Sequence, residues 1–316
     1  MDILSDVLGL LKLQGTLYFR TEFSPPWGIE VPAFENVARF HLVHRGRCWL
    51  SVAGVDAPVL LEQGDLVIVT HGAQHRLSDP ADALARSVDE VVTQSGFTGE
   101  GALVYGEPGQ GHDTQLVCGH FAFDKDAGHP LLDALPPFIH VRNTGDVSHL
   151  WLEGTLKLIG SEAGGDSLGN EFVTLRLSEI IFAQAIRAYL AADGQTRQVF
   201  RGLADAHISR SLHSLHQEPE AAWTLEKMAR RAGLSRTAFA SRFHECMGMT
   251  PMQYLTGWRM QVGRQLLTES DLSILDVAER SGYRSEAAFG RVFRRHFEAS
   301  PARYRRSRQS EVAVGH

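Results

Sequence analysis

The sequence predicts an α+β protein with a β-rich N-terminal half and an all-α C-terminal half. Short runs that alternate apolar and polar residues fill the chain up to about residue 141, as expected of half-buried strands. From about Ser148 the apolar residues recur with a helical period, and one helical pattern occurs twice between Trp223 and Arg305. The chain is long enough for two cores. We place the domains at 1–147 and 205–316, joined by a helical linker at 148–204.

The charge of the chain is divided between its two halves. Residues 1–204 contain 14 Lys and Arg against 25 Asp and Glu, whereas residues 205–316 contain 17 against 12. All but one of the C-terminal cations are arginine, the residue best suited to bidentate contacts with phosphate and guanine. An acidic half joined to a basic half favours a sensor attached to a nucleic-acid-binding domain.

Composition also bears on the compartment. No apolar run approaches the ~18 residues of a membrane span, and the first residues are acidic, unlike the basic start of a signal peptide. The three cysteines, Cys48, Cys118 and Cys246, lack a metal-binding spacing, which favours a reducing compartment. We therefore expect a cytoplasmic protein without a membrane partner.

Six short strands are predicted in the N-terminal half, and together they favour a sandwich or a small barrel. They are Ala38–Val43, Arg47–Val52, Pro58–Leu61, Leu66–Thr70, Gln115–Phe123 and Phe138–Val141. The spacing of Gly64, Gly72 and His75 resembles the second conserved motif of the cupin barrel. The resemblance implies a cupin-like β-barrel in this half.

The first cupin motif is poorly matched. Only Arg39, His41 and His44 occur where two histidines and a glutamate would be expected. Strand alternation places Cys118 and His120 on one face, and we expect His41, His75, Cys118 and His120 to line one effector pocket. Three alternatives remain open: a metal-free small-molecule pocket, a transition-metal site with His75, His41 and His120 as ligands, and purely structural histidines. Apart from this possible metal, no cofactor is predicted.

Helical periodicity predicts the connection between the two halves. An amphipathic segment is expected at 148–163, a longer helix at Asn170–Ala192, a linker at Asp193–Arg197 and a further helix at Ala206–His216. The broad apolar face of the Asn170–Ala192 helix fits either a core helix or a helix that docks against a second subunit. We expect a homodimer through this helix.

The C-terminal half contains a duplicated helix-turn-helix pattern. Ala229 and Gly233 recur 49 residues later, and Ser235, Phe239, Phe243, Pro251 and Tyr254 recur 50 residues later. In the first copy, Thr224 and Ser235 are N-cap candidates, Gly233 ends the first helix, and the phenylalanines form a buried stripe. In the second copy, Gly282 and Ser285 take the same places.

These motifs closely resemble the DNA-binding domain of the AraC/XylS family of transcription regulators. The resemblance covers about a hundred residues and includes GLSRTAFASRF, GMTPMQYLTGWRM, GYRSEAAFGRVF and SPARY. It implies that two helix-turn-helix units enter successive major-groove segments of DNA, and that the N-terminal half is a cupin-type effector domain. Glu298 departs from the glycine that is usual at the end of the second recognition helix.

The resemblance implies a set of DNA-binding positions on the two recognition helices. The predicted base-contacting residues are Arg236, Thr237, Ala240 and Ser241 in the first copy and Glu286, Ala287, Gly290 and Arg291 in the second. Arg291 is the strongest candidate, because arginine bonds bidentately to guanine O6 and N7. Arg242, Arg294 and Arg295 are predicted to hold phosphates, which positions the domain without specifying sequence.

The sequence therefore predicts a non-enzymatic, ligand-responsive transcription regulator. Its expected partners are double-stranded operator DNA, RNA polymerase, a small-molecule effector and a second copy of the chain. One alternative is a cupin-type metal-dependent oxygenase fused to a DNA-binding module. Another is a co-regulator that binds protein and contacts DNA only weakly.

Overall fold

The computed structural model of the protein describes residues 3–99, 101–106, 113–124, 126–143, 154–155, 158, 168–192 and 198–314. The chain forms two compact units. The N-terminal unit comprises Leu13–Lys125 and Leu135–Gly194, and the C-terminal unit comprises Met1–Lys12, Asp126–Ala134 and Gln195–His316. Most of the predicted segment at 148–163, and all of the predicted linker Asp193–Arg197, lie outside the described residues.

Two β-sheets form the N-terminal unit. The strands are β1 (Gln14–Ser24), β2 (Trp27–Val31), β3 (Val37–Arg45), β4 (Arg47–Val52), β5 (Val59–Glu62), β6 (Leu66–Val69), β7 (His75–Asp79), β8 (Arg86–Ser87), β9 (Ala102–Gly106), β10 (Thr114–Ala122) and β11 (Phe138–Val141). One sheet has the order β11–β6–β3–β10–β1–β9, and the other has the order β5–β4–β7–β2–β8. No strand pair joins the two sheets in the described part of the chain, so this cupin-like unit is an open two-sheet arrangement.

All six predicted strands are present, with ends that differ by about two residues at most. Strands β1, β2, β7, β8 and β9 were not predicted. In β1 the apolar residues are interrupted by Arg20 and Glu22. Strand β7 carries His75 of the cupin-like motif. Both sheets are mixed, because β1 and β9 pair in parallel, as do β2 and β8.

A long helix, α4 (Asn170–Ala192), confirms the helix predicted there. It packs against β1 and β11 and buries Ile181, Phe182, Ala185 and Ile186 completely. The other side of the helix leaves apolar residues in solvent, and these are Phe172, Val173 and Ile180. One face of α4 is therefore core, and the opposite face is a partly apolar open surface. Two shorter helices, α2 (Val88–Ser95) and α3 (Pro130–Asp133), precede it in the chain.

The C-terminal unit is all-α. Its later helices are α5 (Gln198–Ala204), α6 (Ala206–Gln217), α7 (Leu225–Ala232), α8 (Arg236–Met247), α9 (Pro251–Glu269), α10 (Ile274–Arg280), α11 (Glu286–Phe297) and α12 (Pro301–Val314). Helices α7 and α8 form the first helix-turn-helix, and α10 and α11 form the second. None of the helices in the described residues is long and apolar enough to cross a membrane.

The predicted caps of the first helix-turn-helix are confirmed. The side chains of Thr224 and Ser235 accept hydrogen bonds from backbone N–H groups in the first turns of α7 and α8. Gly233 ends α7 with a φ of 68°, in the left-handed region that glycine adopts without steric cost. Phe239, Phe243 and Met247 are buried, so the phenylalanine stripe of α8 is the core of this unit.

The second copy repeats these features with one exception. Ser285 caps α11, Gly282 has a φ of 79°, and Phe289 and Phe293 are fully buried. The exception follows α11, where Glu298 adopts a φ of 57°. Its counterpart after α8 is Gly248, with a φ of 72°. The two copies thus use the same left-handed cap, once with glycine and once with a residue that is strained there.

We expect Glu298→Gly to stabilise the C-terminal unit by about 1 kcal/mol, because glycine takes left-handed backbone without the Cβ clash of an L-residue. Urea unfolding of the full chain measures the effect. The matched control is Gly248→Ala, which is expected to destabilise by a similar amount. A Glu298→Gly variant that unfolds at lower urea than the wild type would contradict this explanation of the cap.

An N-terminal helix and a mid-chain segment also belong to the C-terminal unit. Helix α1 (Ile3–Leu11) packs against α6 and α9, and the fully buried Arg264 donates to the backbone oxygen of Leu10 at 3.2 Å. In the segment Asp126–Ala134, the Asp126 carboxylate accepts from Tyr304 Oη at 3.1 Å. Both pieces were predicted in the sensor half, and α5 was predicted in the linker. In the structure all three belong to the helical unit instead.

Candidate functional sites: a DNA-contacting surface and a buried imidazole–thiol chain

The two recognition helices, α8 and α11, present the predicted DNA-binding residues on their outer sides. Because the phenylalanine stripes face the core, the opposite faces are open to solvent. The exposed residues of the predicted set are Arg236, Thr237, Ser241, Arg242, Glu286, Ala287, Arg291, Arg294 and Arg295, and the half-buried ones are Ala240 and Gly290. The small residues let the helix backbone approach a groove closely, and the arginines supply positive charge.

Most of these arginines are available for DNA. Arg236, Arg291, Arg294 and Arg295 form no salt bridge within the described residues. An exposed guanidinium without an acidic partner loses no internal ion pair when it contacts a phosphate or a base. The charge on the second recognition helix is concentrated at Arg291, Arg294 and Arg295, on successive turns of α11.

Arg242 differs from the others, because it is already paired. Its Nε and Nη2 atoms lie 2.7 and 2.6 Å from Oδ2 of Asp205, the residue whose side chain caps α6. The pair ties α8 to the start of α6. Sequence reasoning missed this contact, since Asp205 lies 37 residues away. Arg242 therefore has a structural partner as well as the predicted position near phosphate.

In the N-terminal unit, three of the four predicted pocket residues form a continuous hydrogen-bonded chain. Cys118 lies opposite His41 on the neighbouring strand, with Sγ 3.2 Å from His41 Nδ1. His41 Nε2 lies 2.7 Å from His75 Nε2, and His75 Nδ1 lies 2.8 Å from the backbone oxygen of Ala73. All three side chains are buried.

The Ala73 carbonyl sets the direction of every proton in this chain. A carbonyl only accepts, so His75 Nδ1 carries its proton and donates. His75 Nε2 must then accept from His41 Nε2–H, and His41 Nδ1 must accept from the Cys118 thiol. The chain is neutral throughout. Burial lowers the pKa of His75 to about 4, lowers that of His41 well below its usual value, and raises that of the Cys118 thiol to about 12.

A small cavity lies beside this chain. Its volume is about 40 Å³, and its polar lining residues are Thr21, Arg39, His41 and Cys118 among otherwise mainly apolar side chains. Ligand sites for drug-sized molecules usually measure about 300–1,000 Å³. One water molecule needs about 10–15 Å³ of cavity volume. The cavity as it stands fits a few waters or a very small ligand.

The structure corrects two details of the predicted pocket. His120 is not among the described residues that line this cavity, although it lies opposite Arg39 on the neighbouring strand. His75 contacts the cavity only through its hydrogen bond to His41. Arg39 takes the predicted place of His120, as a largely buried guanidinium 4.4 Å from the ring centroid of Phe34. Its position two residues before His41 in β3 was the signal for this role.

The residues present do not fit the metal site that a cupin fold implies. Two imidazole nitrogens bound to one tetrahedral metal lie about 3.3 Å apart, but His41 and His75 approach to 2.7 Å and share a proton. The remaining nitrogens of both rings are also engaged. In the part of the chain that the structure describes, no three His, Cys, Asp or Glu side chains form a metal-binding group.

Paired helix-turn-helix units with exposed arginines, joined in one chain to a two-sheet unit with a small, mainly apolar cavity, define a DNA-binding transcription regulator. A family profile described as a cupin matches residues 2–191, and one described as a helix-turn-helix domain matches residues 228–307. The chain belongs to the AraC-like family of transcription regulators, in the group with a cupin-type N-terminal domain.

Individual relatives match along nearly their full length. The putative AraC-like transcription regulator of Streptomyces lividans is 31% identical and aligns over 97% of this chain and 98% of its own. The HTH-type transcriptional regulator AlkR of Acinetobacter baylyi is 29% identical, over 96% and 99%. The DNA-binding domain of AdpA, solved in complex with a target DNA, is 34% identical over 34% of this chain and 96% of that domain, with a TM-score of 0.32. The relatives are named as regulators, so the oxygenase alternative is not favoured.

Proposed function

We propose that the protein binds its operator as a homodimer, with α8 and α11 in contact with the DNA. We also propose that a small effector in the N-terminal unit controls this binding. The observation that carries the DNA-contacting part is the exposure of Arg236, Arg291, Arg294 and Arg295 on the outer faces of the two recognition helices. We assign base contacts to Arg236, Thr237, Ser241, Glu286 and Arg291. Phosphate contacts are assigned to Arg294 and Arg295. Ala240, Ala287 and Gly290 permit close approach.

Regulation follows when the bound protein contacts the transcription machinery, and we propose RNA polymerase as that partner. Arg242 is assigned a double role in this proposal. It holds Asp205 in the free protein, and it lies on the exposed face of α8 beside Ser241. Operator binding by the full chain, measured on cognate and scrambled DNA, tests the function as a whole.

The proposed dimer surface is the solvent-facing side of α4. Ile181 of this helix is completely buried inside its own unit and is therefore not available to a second subunit. Its neighbour Ile180 is 47% exposed, and Val173 is 40% exposed. Two turns of helix separate these residues, so they lie on one face.

Ile180→Glu is expected to give a folded monomer whose operator affinity is at least tenfold weaker, because a charge on the shared face opposes association. Ile181→Glu is the matched control, since a carboxylate in the core is expected to unfold the N-terminal unit. Sedimentation velocity together with circular dichroism separates these results. A folded Ile180→Glu dimer with normal operator affinity would place the interface elsewhere.

The proposed effector site is the cavity beside Arg39, His41 and Cys118, in a metal-free form. We expect purified wild-type protein to contain far less than one metal ion per chain, and His75→Ala to bind operator as the wild type does while losing the response to the inducing signal. Elemental analysis and a promoter–reporter strain measure the two properties. One metal per chain that is lost in His75→Ala would contradict the metal-free site, and a normal response in that variant would place the effector elsewhere.

A further inference from the structure

The C-terminal unit contains a second, much larger cavity, which includes none of the predicted DNA-contacting residues in its lining among the described residues. It lies between the segment Asp126–Ala134 and helix α9 and measures about 340 Å³, within the range of small-molecule sites. Neither DNA contact nor the proposed effector site uses it. The cavity borders α9, the helix that connects the two helix-turn-helix units. A molecule bound there would contact the helix that both units share.

Two aromatic rings and two imidazoles form part of the walls of this cavity. Tyr254 and Trp258 of α9 face it together with His129 and His296. His129 meets Trp258 edge to face, with ring centroids 6.0 Å apart. Trp258 is 6% exposed, and its Nε1–H has no acceptor within the described residues. The wall therefore contains aromatic rings, and His216 stacks on the Trp258 ring with centroids 3.7 Å apart.

A hydrogen-bonded chain keeps His129 neutral. The backbone N–H of Leu131 donates to His129 Nδ1 at 3.1 Å, so the proton of His129 is on Nε2 and is donated to Tyr254 Oη at 2.9 Å. Tyr254 then donates to His216 Nε2 at 2.7 Å. Burial lowers the pKa of His129 to about 3 and also lowers that of His296. Neither imidazole supplies positive charge near neutral pH.

The formal charge of the cavity lining is negative. Asp133 is an exposed carboxylate at its edge, and no Lys or Arg lines the cavity among the described residues. This is unusual for a unit whose cations outnumber its acids over 205–316. Aromatic faces carry negative electrostatic potential and attract organic cations, especially when water is excluded. A carboxylate at the rim adds to that attraction.

We propose that this cavity is a ligand site for an amphipathic organic cation, in which a quaternary ammonium or protonated amine is attached to an apolar or aromatic group. The cation lies against Tyr254 and Trp258 with Asp133 as its counter-charge, and the apolar part fills the remaining volume. This site is separate from the proposed effector cavity and does not depend on it.

Gly257 provides a precise way to close the site. It lines the cavity from within α9, and a Cβ at this position would have no heavy atom within 4 Å. Gly257→Leu therefore fills the cavity without a backbone clash, and a side chain in mid-helix favours the helix over glycine. Gly257→Ala is the control that adds the Cβ and leaves most of the volume. Both changes are on α9, outside the predicted DNA-contacting residues.

Isothermal titration of the full chain with benzyltrimethylammonium at physiological salt tests the proposal. We expect one site per chain, at least tenfold weaker binding in Gly257→Leu, three- to tenfold weaker binding in Asp133→Asn, and less than threefold change in Gly257→Ala. Phenylacetate, which has the opposite charge, is expected not to bind. Melting curves and operator binding confirm that each variant is folded.

Two results would overturn the inference. If Gly257→Leu, folded and bound to operator normally, takes up benzyltrimethylammonium as the wild type does, the cation binds elsewhere. If neopentylbenzene, the uncharged molecule of the same shape, raises the melting temperature of the wild type as much as the cation does, the cavity selects for apolar volume and not for charge. Both outcomes are independent of the effector cavity, so failure here leaves the proposed function unaffected.

Discussion

Replacement of Arg291 by alanine is expected to weaken binding to the cognate operator by about 1–3 kcal/mol and to relax the preference at one base pair. The reason is the position of Arg291 on the outer face of α11, exposed and without an ion-pair partner in the described residues. An arginine in that place forms two hydrogen bonds to guanine. Fluorescence-anisotropy titrations with the operator and with each single-base variant measure the loss and its location.

Arg294→Ala is the matched comparison for Arg291→Ala. Arg294 lies three residues further along the same helix and is equally exposed, but its predicted contact is phosphate. Its removal is expected to weaken binding to all sequences alike and to reduce the slope of log K against log salt by about 1. If Arg291→Ala instead lost the same affinity on operator and scrambled DNA, Arg291 would be a phosphate contact and its assigned role would be wrong.

Two buried histidines, His75 and His129, are each expected to lower the free energy of unfolding by about 1.4 kcal/mol between pH 7.5 and pH 5.5. His75 and His129 are buried and neutral, and burial lowers their pKa values to about 4 and about 3. In the unfolded chain both titrate near pH 6.5. The unfolded state therefore binds more protons in this window, and the free energy of unfolding decreases by about 1.4 kcal/mol for each group as the pH falls.

The two histidines belong to different units, which allows the effects to be separated. His75 lies in the N-terminal unit and His129 in the C-terminal unit. Hydrogen exchange of β3 and β7 amides reports the effect of His75, and exchange of α9 amides reports the effect of His129. Both rates are corrected for the intrinsic pH dependence of exchange. His129→Gln is expected to reduce the pH effect in α9 and to leave that in β3 and β7 unchanged. The remaining effect in α9 comes from His216, whose pKa burial also lowers to about 3. Equal protection of α9 at both pH values in the wild type would show that His129 is not held neutral.

Local signals in the sequence were sufficient for most of the helical half. Caps such as Ser235 and Ser285, the glycines at 233 and 282, and the phenylalanine stripes act over a few residues, so they specify helix ends and buried faces directly. The duplication made the assignment stronger, because the same local pattern had to be satisfied twice. The Asn170–Ala192 helix was also predicted from periodicity alone, although its buried and open faces were not distinguished.

The features that the sequence did not predict depend on distant residues. The pairing of Arg242 with Asp205, the hydrogen bond of His129 to Tyr254 and the burial of Arg264 beside Leu10 each join residues far apart in the chain. Side-chain type alone does not identify such partners. The histidine pocket shows the same limit, since strand alternation placed His120 beside Cys118 but did not give its distance from the cavity.

Selection of bound sequences from a random pool of duplex DNA by the full chain tests the central claim most directly. Two recognition helices that enter successive major-groove segments predict an enriched motif with two blocks about one helical turn apart. The selected site should bind at least about 10³-fold more tightly than scrambled DNA at physiological salt. Selection that enriches no motif, or equal affinity for selected and scrambled DNA, would contradict the assignment of a sequence-specific regulator.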